Sequence, residues 1–254
     1  MGALADMQWF EPLIQGYLVL QKKGSEELGE ILHTLLPGFL AERKKWAERQ
    51  RGSAEDFNLF EVLGVATDEV RHSRLLAWLL DHRIERGTHA QGSLGFRLFL
   101  EELCDELHWQ SSDDVLGYAL ENYWVRCEVT GDQSRVDIEI ASPAKFLIHI
   151  ENKIMAGEGE DQTKREYEDL RRRASALGIA ESKTHGIFLS PAGTRPSNVG
   201  FHAVRWSRIG DVFARFSESA QAPEVKLFAL HCEKAIRIWN PAATSDAESN
   251  DVDL

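Results

Sequence analysis

Three side chains that suit metal-assisted hydrolysis stand in the stretch from residue 135 to residue 153. Apolar and polar residues alternate there in two short runs, and Ser142-Pro143 interrupts the alternation between them. This pattern predicts two strands joined by a tight turn. Because side chains two apart on a strand share a face, Glu151 and Lys153 project together, and in a hairpin Asp137 can lie on that same face.

Two carboxylates and one ammonium group beside an apolar sheet suit the hydrolysis of a phosphodiester. Carboxylate oxygens are the ligands that Mg²⁺ prefers, and the bound cation polarises the phosphate and acidifies a water molecule. A lysine close to both can orient the nucleophile or stabilise developing negative charge. A hairpin with one charged face in solvent produces the same alternation, so the pattern by itself leaves both interpretations open.

A helix is predicted before this hairpin, with Thr67 as its N-cap and its end near Asp81. Glu69, His72 and Ser73 fall on one side of it, because residues three and four apart share a helix face. A carboxylate, an imidazole and a hydroxyl therefore cluster near the start of this helix. The alternative is a partly buried, polar helix start without a role in chemistry.

The remaining pattern predicts elements that can hold the hairpin in a sheet. Helices are expected over residues 94–107, 160–177, 207–217 and 223–239, and further strands over residues 123–130, 185–189 and 201–206. This order predicts an α/β sandwich with a mixed central sheet. On the helix that follows the hairpin, Lys164 and Arg165 belong to a basic side that can meet a phosphate backbone, although such charges usually face solvent.

The spacing of Asp137 and Glu151-Asn152-Lys153 resembles the PD-(D/E)xK signature of the restriction-endonuclease-like nuclease superfamily. The helix sequence over residues 69–81, together with Gln162 downstream, resembles one bacterial branch of that superfamily. The resemblance covers approximately residues 55–215. Val136 departs from the signature, which has proline at that position.

The resemblance implies a restriction-endonuclease-like three-layer sandwich with additional helices at both ends of the chain. It implies a Mg²⁺- or Mn²⁺-dependent nuclease that acts on DNA, and bacterial defence against foreign DNA is the setting that the family suggests. Residues 1–52 are then a helical extension, with a break expected at Pro37-Gly38, residues 53–239 form the nuclease-like domain, and residues 240–254 form an acidic, disordered tail.

The resemblance also implies roles for individual residues. Glu69 and the backbone carbonyl of Asn152 would join Asp137 and Glu151 as metal ligands. Lys153 would position or activate the attacking water, and Gln162 would orient the water or the phosphate. Four residues are candidates for substrate contact: His72 and Ser73, which match the branch without an assigned role, and Lys164 and Arg165.

Composition limits the other classes of protein that this sequence can represent. The 254 residues, 43% of them hydrophobic, can bury a sizeable core. The longest apolar run, residues 75–80, is too short to cross a membrane, and Asp6 stands where a signal peptide would carry basic residues. We therefore expect a cytoplasmic location. Three widely separated cysteines argue against a disulfide framework or a zinc site.

The charge of the chain counts against tight binding of nucleic acid through electrostatics alone. Its 29 basic and 41 acidic residues give a net charge of −12, which repels phosphates unless a bound cation and local basic residues offset it. Three alternatives remain open on the sequence. They are a non-catalytic interaction module with this fold, a nuclease subunit that is inactive until it assembles with a DNA-reading or sensor protein, and a nuclease that acts on RNA. The sequence also leaves open whether the active form is a homodimer.

Overall fold

The computed structural model describes residues 15–16, 25–54, 57–107, 112–155 and 157–239. The predicted tail, residues 240–254, lies outside the described residues, as does the beginning of the predicted N-terminal extension. The chain divides into two compact units, Met1–Asn58 and Leu59–Leu254, and the predicted active-site residues all belong to the second.

In the described residues of the first unit, the long helix α1 spans Ser25–Ser53. The predicted break at Pro37-Gly38 is wrong, because the helix continues through Pro37. Proline removes one backbone donor and disturbs one turn, and the remaining backbone hydrogen bonds can carry the helix past it. Regular helical geometry is lost instead at Arg51 and Gly52, where Gly52 has a φ of 94°. No described side chain of α1 is buried.

The described part of the second unit contains helices and five strands. Its helices are α2 (Leu59–Val62), α3 (Glu69–Leu80), α4 (Leu94–Leu107), α5 (Ser112–Leu116), α6 (Gln162–Ala176), α7 (Trp206–Ser219) and α8 (Pro223–Trp239). Its strands are β1 (Trp124–Thr130), β2 (Arg135–Ser142), β3 (Phe146–Asn152), β4 (Thr184–Ser190) and β5 (Phe201–Arg205). No helix in the described ranges is both long and apolar enough to cross a membrane.

The N-cap of α3 differs from the predicted one. Asp68, not Thr67, precedes the first helical residue, and its side chain accepts a hydrogen bond from the backbone N–H of Arg71 at 3.0 Å. Both residue types are good N-caps, so the sequence alone does not decide between neighbours. The shift of one residue leaves the predicted helix face unchanged.

The sheet is mixed, as predicted. Its strands lie in the order β1-β2-β3-β4-β5. Strands β1, β2 and β3 are antiparallel neighbours, whereas β4 runs parallel to β3 and β5 runs parallel to β4. The predicted hairpin is therefore the centre of the sheet, and α6 is part of the crossover that joins β3 to β4.

Helices cover both faces of the sheet, which gives the three layers predicted by the family resemblance. On one face, apolar residues of β2 and β3 are packed with α3, α4 and α7 in the main core, for example Ile138 and Ile150 with Leu76, Phe99 and Phe213. On the other face a smaller cluster joins Ala141 and Leu147 to Leu170 and Ala174 of α6. The polar residues of the hairpin that alternate with the isoleucines face the α6 side.

The turn between β1 and β2 is held by Asp169 of α6. The Asp169 carboxylate accepts hydrogen bonds from the backbone N–H groups of Asp132, Gln133 and Ser134 at 3.2, 3.1 and 2.8 Å. The carboxylate approaches so closely that a Cβ atom at position 131 would lie 2.4 Å from Asp169 Oδ2, which explains the glycine there. This contact fixes α6 over the hairpin.

Candidate active site

The hairpin brings the three signature residues together. Ile138 pairs with Ile150 across β2 and β3, and the same register places Asp137 opposite Glu151. Lys153 Nζ lies 2.7 Å from Glu151 Oε1, and the backbone N–H of Asn152 donates to Asp137 Oδ2 at 2.8 Å. The convergence that the sequence pattern predicts is therefore present in the structure.

Gln162, the first residue of α6, joins this group. Its Nε2 donates to Glu151 Oε1 at 2.5 Å and to Glu166 Oε1 at 2.9 Å. Its Oε1 accepts a hydrogen bond from the backbone N–H of Gly159 at 3.1 Å. The amide is thus fixed at both ends and holds Glu151 and Glu166 side by side.

Glu166 is a member of the site that the sequence prediction missed. It is 1% exposed, like Glu151 at 2%, and it lies one helical turn after Gln162. The sequence held a signal for it, since residues four apart on a helix share a face and Gln162 was already a candidate. A buried glutamate beside a second glutamate is costly unless a cation or a proton neutralises the pair.

The electrostatics of the site reflect this crowding. Burial and the neighbouring charge of Glu151 raise the pKa of Asp137 to about 7. Burial and Glu166 do the same for the pKa of Glu151, also to about 7, and burial raises the pKa of Glu166 to about 7. Burial disfavours a charged Lys153, yet its hydrogen bond and attraction to Glu151 prevail and raise its pKa.

Glu69 reaches the site from the start of α3. Its Oε1 accepts hydrogen bonds from the backbone N–H groups of Ile154 and Met155 at 2.8 and 3.2 Å, and its charge contributes to the raised pKa of Lys153. The Glu69 carboxylate therefore lies near Lys153, and it orders the segment that follows β3.

Asn152 connects the site to the layer behind the sheet. Its side chain is fully buried; Nδ2 donates to the backbone carbonyl of Glu69 at 2.9 Å and to Ser73 Oγ at 3.1 Å. Trp206 Nε1, at the start of α7, donates to Asn152 Oδ1 at 2.8 Å. These bonds fix the end of β3, and hence the backbone between Glu151 and Lys153, against α3 and α7.

His72 and Ser73, expected as substrate contacts, are buried beneath the site instead. His72 Nε2 lies 2.6 Å from the carbonyl oxygen of Ala66, and its ring packs edge-on against Trp206. Burial lowers the pKa of His72, which favours a neutral ring. Ser73 donates to the Glu69 carbonyl at 3.0 Å. Their placement gives both residues a supporting role, because neither presents surface to a substrate.

Lys164 and Arg165 lie on the exposed side of α6, near its start. Arg165 Nη1 donates to the backbone carbonyl of Glu160 at 2.7 Å, so its guanidinium remains close to the N-terminal end of the helix. Both side chains are accessible to a phosphate backbone. The structure places them on the same helix as Gln162 and Glu166.

The donor set of the site fits a divalent cation. As the side chains stand, no group of three or more histidine, cysteine or carboxylate residues in the described ranges is arranged to hold a metal ion, and Lys153 and Gln162 both contact Glu151 Oε1. However, Glu151 Oε2 and Glu166 Oε2 are buried without a hydrogen-bond partner in the part of the chain that the structure describes. Unused carboxylate oxygens in a crowded acidic site are the ligands that Mg²⁺ and Mn²⁺ prefer.

Glu128 is a further carboxylate beside this site. The register of β1 and β2 places it opposite Asp137, and its left-handed backbone, with a φ of 55°, interrupts the regular pairing there. Arg135 lies 3.0 Å from Glu128 Oε2, and the charge of Glu128 contributes to the raised pKa of Asp137. The structure therefore places Glu128 beside Asp137 with an arginine as its ion-pair partner.

A comparison with protein-family models gives one finding that bears on this geometry. The model described as "PD-(D/E)XK nuclease superfamily" matches residues 57–241, a range that contains every candidate residue named above. No curated protein and no solved structure matches the chain.

Proposed function

Because the chain belongs to the PD-(D/E)XK nuclease superfamily, we propose that it is a divalent-metal-dependent nuclease that hydrolyses phosphodiester bonds in DNA. The observation that carries this proposal is the row formed by Asp137, Glu151 and Lys153, in which crowded carboxylates with raised pKa values lie beside a half-buried ammonium group. Perturbed ionisable groups of this kind concentrate at functional sites. A role in defence against foreign DNA rests on the family resemblance alone.

Asp137, Glu151, Glu69 and the backbone carbonyl of Asn152 would hold Mg²⁺ or Mn²⁺. When bound, the cation supplies positive charge that offsets the phosphate and lowers the pKa of a water molecule. Asp137 and Asn152 are already coupled through a 2.8 Å hydrogen bond, so the carboxylate and the adjacent backbone are oriented before a ligand arrives.

Lys153 would position the attacking water and stabilise charge on the phosphate as the bond breaks. Its contact with Glu151 keeps the ammonium protonated and restricts its position. Gln162 fixes the Glu151 carboxylate, because its Nε2 donates to Glu151 Oε1. From this position beside the proposed metal ligand, its amide would orient water or phosphate. Lys164 and Arg165, exposed on α6, would contact the phosphate backbone of the substrate.

A second candidate is a nuclease that becomes active only with a partner, either a DNA-reading protein or a second copy of this chain. Two observations favour it. Lys153 and Gln162 both contact Glu151 Oε1, so this oxygen is engaged in the arrangement that the structure shows. The net charge of −12 also weakens encounter with DNA by the lone chain. A basic DNA-reading partner would correct this deficit, whereas a second copy of this acidic chain would not.

The test is the cleavage of labelled linear, circular and single-stranded DNA, and of RNA, with Mg²⁺ or Mn²⁺. We expect Asp137→Ala and Lys153→Ala each to reduce cleavage at least about a hundredfold, as for loss of a group that stabilises the transition state. Lys145→Ala is the matched control, because Lys145 lies in the turn of the same hairpin and is 54% exposed in its ion pair with Glu121.

Calorimetric titration with Mn²⁺ separates the two candidates. Cleavage by the wild type that is lost in both variants and retained in Lys145→Ala supports the simple nuclease. Absence of cleavage together with Mn²⁺ binding that needs Asp137 supports the partner-dependent nuclease. If the wild type neither cleaves nor binds Mn²⁺, the nuclease proposal fails and a non-catalytic interaction module becomes the better description. Cleavage of RNA but not of DNA would show that RNA is the substrate.

A further inference from the structure

The loop between β4 and β5, residues 191–200, lies at the same edge of the sheet as the candidate active site. Strand β4 runs parallel to its neighbour β3, so both strands end at this edge. The backbone N–H of Lys153 donates to the carbonyl oxygen of Leu189, near the end of β4, at 2.8 Å. The β4–β5 loop therefore begins beside Lys153, although none of its residues belongs to the proposed metal site.

Glu158 connects this loop to the start of α6. Its Oε2 accepts a hydrogen bond from the backbone N–H of Ser197 at 2.8 Å, and its Oε1 accepts one from Ser197 Oγ at 2.5 Å. The same Oε1 accepts hydrogen bonds from the backbone N–H of Thr163, at 3.2 Å, and from the Thr163 hydroxyl. Burial opposes the charge of Glu158, but these donors lower its pKa. The loop is thereby fixed beside Gln162, which precedes Thr163 and contacts Glu151.

Further contacts restrict the loop near both of its ends. Close to β4, the backbone N–H of Thr194 donates to Ser190 Oγ at 2.8 Å. Close to β5, a Cβ atom at position 200 would overlap the Tyr167 ring of α6, which explains the glycine there. The loop is therefore held on both sides of the dipeptide Arg195-Pro196.

Arg195 is the cation that this loop presents to solvent. Its side chain is exposed, and no carboxylate pairs with it in the part of the chain that the structure describes. Pro196 restricts the backbone of Arg195 to extended conformations. The guanidinium carries a planar fork of N–H donors that matches the geometry of a phosphate. Arg195 therefore combines a fixed backbone with donors that are available for a ligand.

Three arginines on the β1 side of the candidate site are instead balanced by carboxylates. Arg126 Nη2 and Arg173 Nε donate to the buried Glu139 at 2.5 and 3.0 Å. Arg135 Nη1 lies 3.0 Å from Glu128 Oε2. The positive charge that remains for a phosphate is consequently on the β4 side, in the β4–β5 loop and among the exposed basic residues at the start of α6.

Glu160 and Asp161 limit the kind of binding that this region can perform. Both are exposed at the start of α6, so the junction between α6 and the loop is not a broadly basic surface. Attraction of a polyanion through bulk charge is weak there. Directed, charge-assisted hydrogen bonds from one arginine to one phosphate are the interaction that this arrangement favours.

We propose that Arg195, held at the active-site edge by the β4–β5 loop, binds a phosphate of the substrate strand on the β4 side of the scissile phosphate. The inference rests on the proposed nuclease function, and it adds a binding residue and a direction for the substrate backbone. Glu158 is then a positioning residue, because it acts through the loop that carries Arg195.

Equilibrium binding tests this inference without cleavage. Fluorescence anisotropy with Ca²⁺ in place of Mg²⁺ measures the affinity for a short labelled DNA duplex at several salt concentrations. We expect Arg195→Gln to weaken binding about tenfold, the order of magnitude of one hydrogen bond to a charged group. We also expect the slope of log affinity against log salt concentration to decrease in magnitude by about 0.9, the value for one phosphate of duplex DNA.

Arg86→Gln is the matched control for the loss of one positive charge. Arg86 is exposed and, like Arg195, has no carboxylate partner within the described residues. It follows the C-terminal end of α3, whereas Glu69 begins that helix, and 12 helical residues span about 18 Å. Charges separated by more than about 8–10 Å are largely screened at physiological salt. Arg86→Gln should therefore keep the wild-type slope and an affinity within about twofold of the wild type.

Glu158→Ala tests whether the loop presents Arg195. Loss of the Glu158 carboxylate releases the loop from α6, so binding should weaken by about the same factor as in Arg195→Gln. The double variant should bind within about twofold of Arg195→Gln alone, because both changes remove the same interaction. Losses that multiply in the double variant would overturn the positioning role of Glu158.

Three results would overturn the inference as a whole. They are absence of binding by the wild type, an affinity and salt slope of Arg195→Gln equal to those of the wild type, and an equal loss in Arg86→Gln. The nuclease proposal is judged separately, by cleavage with Mg²⁺ or Mn²⁺ and by its dependence on Asp137 and Lys153.

Discussion

At the residue scale, the two carboxylate oxygens of Glu151 have different surroundings. One of its oxygens contacts Lys153 and Gln162, and the other is buried without a partner in the described part of the chain. Glu166 lies beside it and is equally buried. A protein that needed only stability would gain from apolar residues here, because buried carboxylates cost free energy unless they are neutralised. This cost in stability, which apolar residues would avoid, is the reason to propose that the carboxylate cluster has a function.

Glu166→Gln tests whether this crowding serves metal binding. The substitution keeps the shape of the side chain and removes one negative charge, so the metal-free protein at pH 8 should become more stable by about 1 kcal/mol, or about 2–4 °C in Tm. The same change should weaken Mn²⁺ binding about tenfold or more, because a charged ligand or neighbour is lost. Differential scanning calorimetry and isothermal titration calorimetry measure the two effects.

Glu168→Gln is the control for this prediction, since Glu168 is exposed on the same helix. It should change neither Tm nor Mn²⁺ affinity appreciably. A Glu166→Gln protein that is less stable than the wild type, with unaltered Mn²⁺ affinity, would show that Glu166 is a structural hydrogen-bonding residue.

At the scale of elements, α6 does more than cover the sheet. Gln162 and Glu166 at its start enter the candidate active site, Asp169 in its middle holds the β1–β2 turn, and Arg173 near its end binds Glu139. The four residues recur every three or four positions, which is the spacing of one helix face. One helix face therefore contacts the candidate site at Glu151, the buried Glu139 and the β1–β2 turn.

Asp169→Asn should destabilise the protein by about 1–3 kcal/mol at pH 7. The substitution replaces one carboxylate oxygen, which accepts hydrogen bonds, with an amide nitrogen, which cannot accept them from the backbone N–H groups of the turn. Burial opposes the charge of Asp169, but hydrogen bonds from Arg172, Ser134 and the turn backbone lower its pKa from 3.8 to about 2. The stabilisation is therefore present above pH 3.8 and is lost as the pH falls toward about 2.

Urea denaturation of both proteins between pH 7 and pH 3 measures this prediction. The difference in unfolding free energy should stay constant down to about pH 5 and shrink below about pH 4. Glu168→Gln again serves as the control on the same helix. A difference that remains constant throughout this range would mean that the Asp169 carboxylate does not stabilise the turn through its charge.

At the scale of the whole molecule, the candidate functional residues all belong to the second unit. Every candidate residue lies between Glu69 and Arg195, within the range of the family match, residues 57–241, and the core clusters are built from Phe60 onward. The first unit contributes the long helix α1, whose described side chains are exposed or half-buried. The nuclease-like fold therefore has its own core.

A truncated chain of residues 57–241 should fold on its own and bind Mn²⁺ with an affinity within about threefold of the full chain, because it contains the core and every residue of the proposed metal site. Circular dichroism during heating and calorimetric titration measure these properties. The same truncation carrying Asp137→Ala is the negative control for metal binding. A truncated chain that fails to unfold cooperatively would show that the N-terminal segment is part of the core.

The sequence by itself determined most of the local elements and the convergence of the three signature residues. Alternation over residues 135–153 predicted the β2–β3 hairpin, and the helical periodicity predicted α4 over Leu94–Leu107 and α8 over Pro223–Trp239, the bounds that the structure has. Asp137, Glu151 and Lys153 were predicted to converge because a fixed period of two relates residues on one strand and its hairpin neighbour.

Only the tertiary structure decided the contacts between elements that are distant in sequence. It buried His72 and Ser73 under the site, joined Trp206 to Asn152, and set Glu166 against Glu151. Periodicity states which residues share a face, but the partner of that face depends on how helices pack on the sheet. The charges that such packing brings together set the pKa values and the unsatisfied oxygens, and with them the chemistry that the site can perform.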